Sequence, residues 1–426
     1  MNSDSNKLYR TLWRWHFYAG LFCIPFIISL SVTGAIYLFK PQIDAWVNRE
    51  FRNLELREKR YSPVEQITAA KKNFPKATFE SYRLPENKKQ AVVITLREND
   101  RRILVFVNPY TLETLKAVGY NDQFIRIVRT LHGELMLGNT GAVLIELAGG
   151  WAMILIITGL YLWWPRSASG AAGVIYPRLA QGSRKFWRDL HAVTGFWVAF
   201  FTLFLIVSGL PWALVWGSAF KEIRSMGKQS VVQDWSISQR TDKSDTKVSI
   251  NFLTNDLLRK ATELDFAHPV EFGPDRNTPN TWKLSSKHQN RMLRSDAWFS
   301  IDDGQLMKIK TFSDKPTTDQ VIGIGIAAHE GHLFGWLNQL IGLLVTLGLI
   351  TISVSGFVLW RKRKPSDTLG APPALNNGSG KTILLVTIIF SILLPVVFIS
   401  LLAIVLLEKF VLKKFKSTSH WLGIAN

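Results

Sequence analysis

LHGELMLGNTGAVLIELAGGWAMILIITGLYLWWPR, residues 131–166, decides the fold together with a second stretch, AHEGHLFGWLNQLIGLLVTLGLITISVSGFVLWRKR, residues 328–363. Each stretch places a histidine before a long apolar run, and each run ends in tryptophan followed by cationic residues. About 20 apolar residues are enough to cross the hydrocarbon core of a bilayer as a helix. The two stretches therefore predict a membrane protein in which one pattern occurs twice.

The chain as a whole contains a parallel repeat. The two stretches align without a gap, and so do the apolar runs that begin near residues 16 and 191. Each half then consists of a helix, a polar segment and a second helix in the same orientation. The positions that match are His16 and His191, Gly34 and Gly209, His132 and His329, and Gly159 and Gly356.

Five apolar runs predict five transmembrane helices, so the fold class is a polytopic α-helical membrane protein with two small α+β domains outside the membrane. The first run lacks a small-residue cleavage site and is interpreted as an uncleaved signal anchor. The predicted segments are the N-terminus with the first helix (1–39), the first outward domain (40–135), the second helix (136–164), a cytoplasmic loop (165–186), the third helix (187–217), the second outward domain (218–330), the fourth helix (331–361), a linker (362–381), the fifth helix (382–408) and a tail (409–426).

The net charge of +19 is explained by membrane topology rather than by nucleic acid. Three basic groups, near residues 7–14, 166–188 and 361–364, fall on one side if the first four helices alternate. Because loops rich in Lys and Arg stay in the cytoplasm, this predicts a multi-pass inner-membrane protein whose polar domains face outward. The basic tail after the fifth helix contradicts that rule, and its side is left open.

The two outward segments show similar but fainter patterns of a helix followed by strands. In the first, a helix is predicted from Ser62 to Ala70, and strands are predicted over Ala91–Arg97 and Arg102–Pro109. In the second, the corresponding helix and strands are predicted over 251–261, 282–286 and 296–309. Each segment is therefore expected to form a separate domain with a helix packed on an antiparallel sheet.

Four histidines occupy matched positions at the membrane boundaries, and this points to haem. Neutral imidazole is a good axial ligand for haem iron, and two histidines on different helices can fill both axial positions. We expect His16 with His191 to bind an inner haem b and His132 with His329 to bind an outer one. No CxxCH motif occurs, so the haems would be held non-covalently.

Other interpretations of these histidines stay open. A single histidine near a helix end is more often an interfacial residue than a ligand. His332, three residues after His329 and expected on the same helical face, is a second candidate for the outer haem, for proton transfer or for contacting substrate. A direct metal site is a further alternative, formed from His132, Glu134, His329, Glu330 and His332.

The arrangement resembles the PepSY-associated transmembrane proteins, also called iron-regulated inner-membrane proteins. The resemblance extends over nearly the whole chain and is most distinctive in the LHGEL…GLYLWWPR block. Members that resemble ferrisiderophore reductases are implied to carry b-type haem among these helices and to reduce ferric siderophore in the periplasm. The motif histidines correspond to His16, His132, His191 and His329.

The expected activity is therefore a ferric-siderophore reductase with two haem b, driven by a cytoplasmic reductase or the quinol pool. Three rivals are a haem reductase with another acceptor, a non-redox accessory protein whose outward domains bind a partner, and a permease. A permease is expected to carry acidic residues or broken helices near the middle of the membrane. It is disfavoured because Glu146 is the one carboxylate well inside a predicted span.

Overall fold

The computed structural model describes residues 3–165, 170–226, 252–371 and 393–424. These residues form two compact units. A helical unit comprises Met1–Ile36, Thr130–Val231 and Leu340–Asn426, and a sheet unit comprises Tyr37–Arg129 and Val232–Gln339. The helices are α1 (Ser3–Leu38), α2 (Lys40–Val47), α3 (Pro63–Lys72), α4 (Phe124–Glu134), α5 (Gly138–Trp163), α6 (Ser183–Gly209), α7 (Leu214–Met226), α8 (Asn255–Glu263), α9 (Thr317–His329), α10 (Trp336–Arg363), α11 (Pro395–Phe410) and α12 (Lys416–Leu422).

Within the described residues, four helices are long and apolar enough to span a bilayer, so the chain is a multi-pass membrane protein. They correspond to the first four predicted spans. The fifth predicted span stays a prediction, since its first residues lie outside the described ranges and α11 has 16 residues. The spans are Lys7–Leu38, Gly138–Trp163, Ser183–Trp212 and Trp336–Arg363.

The sheet unit contains one eight-stranded antiparallel sheet with the order β4-β3-β2-β1-β5-β6-β7-β8. The prediction of two separate outward domains is wrong, because β1 pairs with β5 and joins the two four-stranded halves edge to edge. The strands are β1 (Thr78–Leu84), β2 (Val92–Glu98), β3 (Arg101–Val107), β4 (Thr114–Gly119), β5 (Val270–Pro274), β6 (Thr281–Ser286), β7 (Asp296–Ser300) and β8 (Leu306–Lys310).

A single hydrophobic core lies under both halves of this sheet. Trp282, Tyr82 and Phe272 are fully buried there, together with Ile67 of α3 and Leu257 of α8. Removing this apolar surface from water favours the joined sheet over two isolated halves. Both polar segments therefore contribute to one folded unit.

The local elements agree with most of the sequence patterns. Ser62 and Glu65 form a capping box that starts α3, and Thr254 caps α8. The strands predicted over 91–97 and 102–109 appear as β2 and β3. Residue 251, the first of the predicted second helix, lies outside the described residues. The run predicted over 296–309 appears as the two strands β7 and β8. The outer strand β4 and the joining strands β1 and β5 were not predicted.

Candidate functional site

The candidate site is a set of histidines held against neighbouring helices of the helical unit. His16 lies on α1, His191 lies on α6 and His132 lies near the end of α4. All three belong to the helical unit, so their contacts with its helices can be described together.

His16 lies against the Thr158-Gly159 step of α5. Its Nδ1 is 2.9 Å from the Oγ1 of Thr158, which is itself buried. A Cβ on Gly159 would lie 3.1 Å from the Cε1 of His16, closer than most real Cβ contacts. The glycine therefore makes room for the imidazole ring, and the threonine beside it bonds to the ring.

His191 makes the matching contact with α10. Its Nδ1 is 3.0 Å from the carbonyl oxygen of Ile352 and 3.3 Å from the Oγ of Ser355. A Cβ on Gly356 would lie 3.2 Å from its Cε1. Because a carbonyl can only accept a hydrogen bond, Nδ1 of His191 carries the proton and Nε2 has a free lone pair.

The rings of His16 and His191 face one another between α1 and α6. Their centroids are 6.4 Å apart and their planes are nearly perpendicular, at 89°. A metal bound by two imidazoles from opposite sides, at about 2 Å from each nitrogen, would place the centroids about 6 Å apart. The separation of the two centroids therefore matches that of two imidazoles bound to one metal ion.

Asp189, two residues before His191 on α6, is held by two arginines. The buried carboxylate of Asp189 accepts hydrogen bonds from Arg178 Nε at 2.6 Å and from Arg188 Nη2 at 2.7 Å. A buried carboxylate is stabilised only when it is paired in this way. The two arginines therefore fix the start of the helix that presents His191.

His132 lies against α1, at the Thr33-Gly34 step. Its Nδ1 is 2.9 Å from the Oγ1 of Thr33, and a Cβ on Gly34 would lie 3.4 Å from its Cε1. Burial lowers the pKa of His132 to about 4, although a backbone contact with Leu30 acts the other way. The ring is therefore neutral at pH 7, which is the form that binds a metal.

The turns after His132 and His329 differ from what the sequence predicted. Both histidines were expected to start spanning helices, but they lie near the C-termini of the separate helices α4 and α9. Leu135 and Met136 have φ values of 50° and 60°, a left-handed conformation that interrupts the helix before α5.

The expectation that His329 and His332 share one helical face is also wrong. The helix α9 ends at His329, and Gly331, with φ of 79°, reverses the chain before His332. The Nε2 of His332 is buried and has no hydrogen-bond partner among the described residues. Burial and the nearby Lys40 lower the pKa of His332 to about 4, so the ring is neutral at pH 7.

His329 and His332 both lie in the sheet unit, and both stay predicted ligands of the outer site. Among the described residues, no three His, Cys, Asp or Glu side chains converge to hold a metal ion directly. The alternative of a metal site built from Glu134, Glu330 and the nearby histidines therefore gains no support.

The family model of the PepSY-associated TM region matches residues 13–363. The chain belongs to this family. No curated protein matches it. In this PepSY-associated chain, the histidines and the Thr-Gly or Ser-Gly steps against which they lie all fall inside the matched range.

The hydroxyl partners are the part of the site that sequence reasoning missed. The glycines were noted as small residues that pack helices or make room for a flat cofactor. The residue before each glycine carried a further signal, since Thr33, Thr158 and Ser355 all bear a hydroxyl. A hydroxyl next to a glycine, repeated in three spanning helices, could have indicated the histidine contacts.

Proposed function

We propose that this protein binds two b-type haems between its histidine-bearing helices and reduces Fe(III)-siderophore on the periplasmic side of a bacterial inner membrane. His16 and His191 are the ligands of the inner site. His132 is a ligand of the outer site. The observation that carries the proposal is the facing pair of His16 and His191 on two spanning helices, with ring centroids 6.4 Å apart.

Haem with two axial histidines supplies one-electron transfer when bound, because no coordination position is left open for oxygen. The protein contributes the positions and the protonation states of the ligands. The carbonyl of Ile352 fixes the proton of His191 on Nδ1, and burial keeps His132 neutral.

The substrate follows from the chemistry of iron. Siderophores hold Fe(III) through hard oxygen donors, and they hold Fe(II) much less firmly, so one electron releases the metal. Reduction outside the membrane requires a path for electrons across it. His16 and His191 on two spanning helices, and His132 on α4 shortly before the span α5, support such a path, with a separate cytoplasmic reductase or quinol as the donor.

The charge of the sheet unit supports an anionic substrate. Segment 40–135 is net basic. Within it, burial and the neighbouring Arg129 lower the pKa of Arg126 to about 10, so the Arg126 guanidinium remains cationic at pH 7. Neighbouring like charges raise the local concentration of an anion such as a ferric chelate.

The first test is a reduced-minus-oxidised absorption spectrum of the purified protein in detergent, with its haem-to-protein ratio. We expect b-type bands at about two haems per chain, and loss of about one haem in His16→Ala and in His132→Ala. His420→Ala is the matched control because His420 is an exposed histidine of α12. Adding Fe(III)-siderophore to the reduced protein should then reoxidise it.

A protein that stays colourless after haem supplementation would refute the electron-transfer proposal. It would favour an accessory protein whose sheet unit binds a partner. Haem that is reduced normally but is not reoxidised by any Fe(III)-siderophore would instead indicate a different acceptor.

A further inference from the structure

The same contact between a histidine and a neighbouring helix occurs three times in the helical unit. In each case the imidazole Nδ1 lies within 3.3 Å of a hydroxyl oxygen, and the hydroxyl residue directly precedes a glycine that faces the ring. Two of these contacts are related by the internal repeat and the third lies on another helix, which indicates a shared purpose. The contacts are His16 with Thr158, His132 with Thr33, and His191 with Ser355.

Thr158 and Thr33 each donate their hydroxyl proton to a backbone carbonyl of their own helix. Thr158 Oγ1 donates to the carbonyl of Ile154 at 2.7 Å, one helical turn earlier. Thr33 Oγ1 donates to the carbonyl of Ser29 at 2.6 Å in the same way. A hydroxyl has one proton and two lone pairs, so each threonine accepts the Nδ1 proton of its histidine. This places the free lone pair of each ring on Nε2.

His132 and His191 each have a second acceptor in the backbone, Leu30 for His132 and Ile352 for His191. The carbonyl of Ile352 is 3.0 Å from Nδ1, closer than the 3.3 Å of Ser355 Oγ. Removing the serine hydroxyl would leave the proton of His191 bonded to the carbonyl. Thr158 is the only acceptor that the described residues offer to Nδ1 of His16.

Water cannot replace the threonine hydroxyls easily. The side chain of Thr158 is 5% exposed and that of Thr33 is 3% exposed, and both lie on spanning helices. A buried N–H left without an acceptor is costly, so a ring that loses its threonine would reorient or change tautomer. Either change takes Nε2 away from a ligand bound between the helices.

We propose that Thr158 is a positioning residue of the inner haem site, where it fixes the tautomer and ring orientation of His16 and raises the basicity of this histidine as an iron ligand. Thr33 shares the same role at His132 with the backbone of Leu30. This inference rests on the proposed haem binding. An acceptor on Nδ1–H makes the imidazole a stronger donor through Nε2, and outer-shell partners of this kind typically change metal affinity about 10- to 100-fold. An imidazole that donates more electron density to the iron favours Fe(III) over Fe(II). Removing the hydrogen-bond acceptor of Nδ1–H should therefore raise the reduction potential of the haem.

The test is a redox titration of the full-length protein in detergent, with haem content measured in parallel. Thr158→Val keeps the shape of the side chain and removes the acceptor. We expect the potential of one haem to rise and its retention to fall about tenfold or more. Thr158→Ser restores the hydroxyl and should return both values toward those of the wild type. Ser355→Ala should have a smaller effect than Thr158→Val.

A control separates positioning from general destabilisation. Thr202 of α6 is buried and donates to the carbonyl of Val198 at 2.8 Å, as Thr158 does to Ile154. Thr202→Val should leave both potentials unchanged. If Thr158→Val binds two haems at wild-type potentials, the positioning role is refuted while the haem proposal survives. If the wild type binds no haem, the proposed function fails and this inference fails with it.

Discussion

At the scale of single residues, the function of the glycines is resolved by the structure. Sequence reasoning identified the matched histidines, but it left two alternative roles for the glycines, which were close packing of helices and making room for a flat cofactor. The structure shows imidazole rings lying against Gly34, Gly159 and Gly356. Which helix faces which glycine depends on tertiary packing, and a single sequence does not carry that information.

We expect Gly159→Ala to weaken the inner haem site. The added Cβ would lie 3.1 Å from His16 Cε1, so the ring must shift by a few tenths of an ångström. Alanine is favoured over glycine in a helix by about 1 kcal/mol, so α5 itself should not be weakened. Haem content, measured by absorbance at equal protein concentration, should fall by about half.

Gly149→Ala is the control on the same helix. Its added Cβ would meet only Ile206 Cγ2, at 4.0 Å, which is ordinary contact. Equal haem content in both alanine variants would show that the Gly159 contact does not matter for binding.

At the scale of elements, α5 organises the helical unit. Its Glu146 accepts hydrogen bonds from the backbone N–H groups of Val215 at 2.8 Å and of Trp216 at 3.0 Å, which begin α7. The carboxylate therefore caps a helix, and the negative charge is stabilised by the positive end of that helix. The sequence located Glu146 inside a span but gave no partner, because the partner is a backbone 69 residues away.

The same helix also contacts α11. A Cβ on Gly150 would lie 2.3 Å from Val397 Cγ2, and Trp151 Nε1 donates to Ser400 Oγ at 3.1 Å. The sequence predicted α5 as a span, but it did not predict α4 and α9 as separate helices. In the sequence, α4 and α9 run directly into the apolar spans that follow them. The break after α4 falls at Leu135 and Met136, which have positive φ values although neither residue type is typical of such a conformation.

Removing the cap should destabilise the helical unit. We expect Glu146→Ala to lower the free energy of unfolding by about 1–3 kcal/mol, because two backbone N–H groups lose their acceptor. Glu146→Gln keeps an acceptor oxygen and should lose less. Thermal unfolding in detergent, followed by circular dichroism, measures both effects. A melting temperature of Glu146→Ala equal to that of the wild type would contradict the capping role.

At the scale of the whole molecule, the main difference from the sequence prediction is the joined sheet. Each four-stranded half has its own alternating pattern, so the sequence indicated two domains. The pairing of β1 with β5 joins residues about 190 positions apart, such as Arg83 and Glu271, and it leaves no periodic signal. At this junction Arg83 Nη2 is 2.8 Å from Glu271 Oε1.

The stability of this junction should depend on pH. Burial alone would raise the pKa of Glu271, but Arg83 and Lys287 outweigh that effect and hold the pKa below its ordinary value. Because the folded-state pKa is lowered, the contribution is present at neutral pH and is lost as the pH falls through that value. We expect Glu271→Gln to weaken the junction by about 1 kcal/mol at pH 7.

Hydrogen exchange of the β1 and β5 amides, corrected for the intrinsic effect of pH, tests this expectation. The difference between the wild type and Glu271→Gln should be largest at neutral pH and should shrink as the pH falls through the lowered pKa of Glu271. A difference that grows as the pH falls would show that the ion pair is not its source.

The joined sheet also sets an order of events during biosynthesis. The strands β1–β4 are translated before α5 and α6, and β5–β8 are translated after them. The edge of β1 therefore has no partner until two further spans have been inserted and the second half has emerged on the same side. An unpaired edge is open to pairing with other chains. Any delay between the two insertions prolongs the time in which a newly made chain is vulnerable to aggregation or to quality-control proteases.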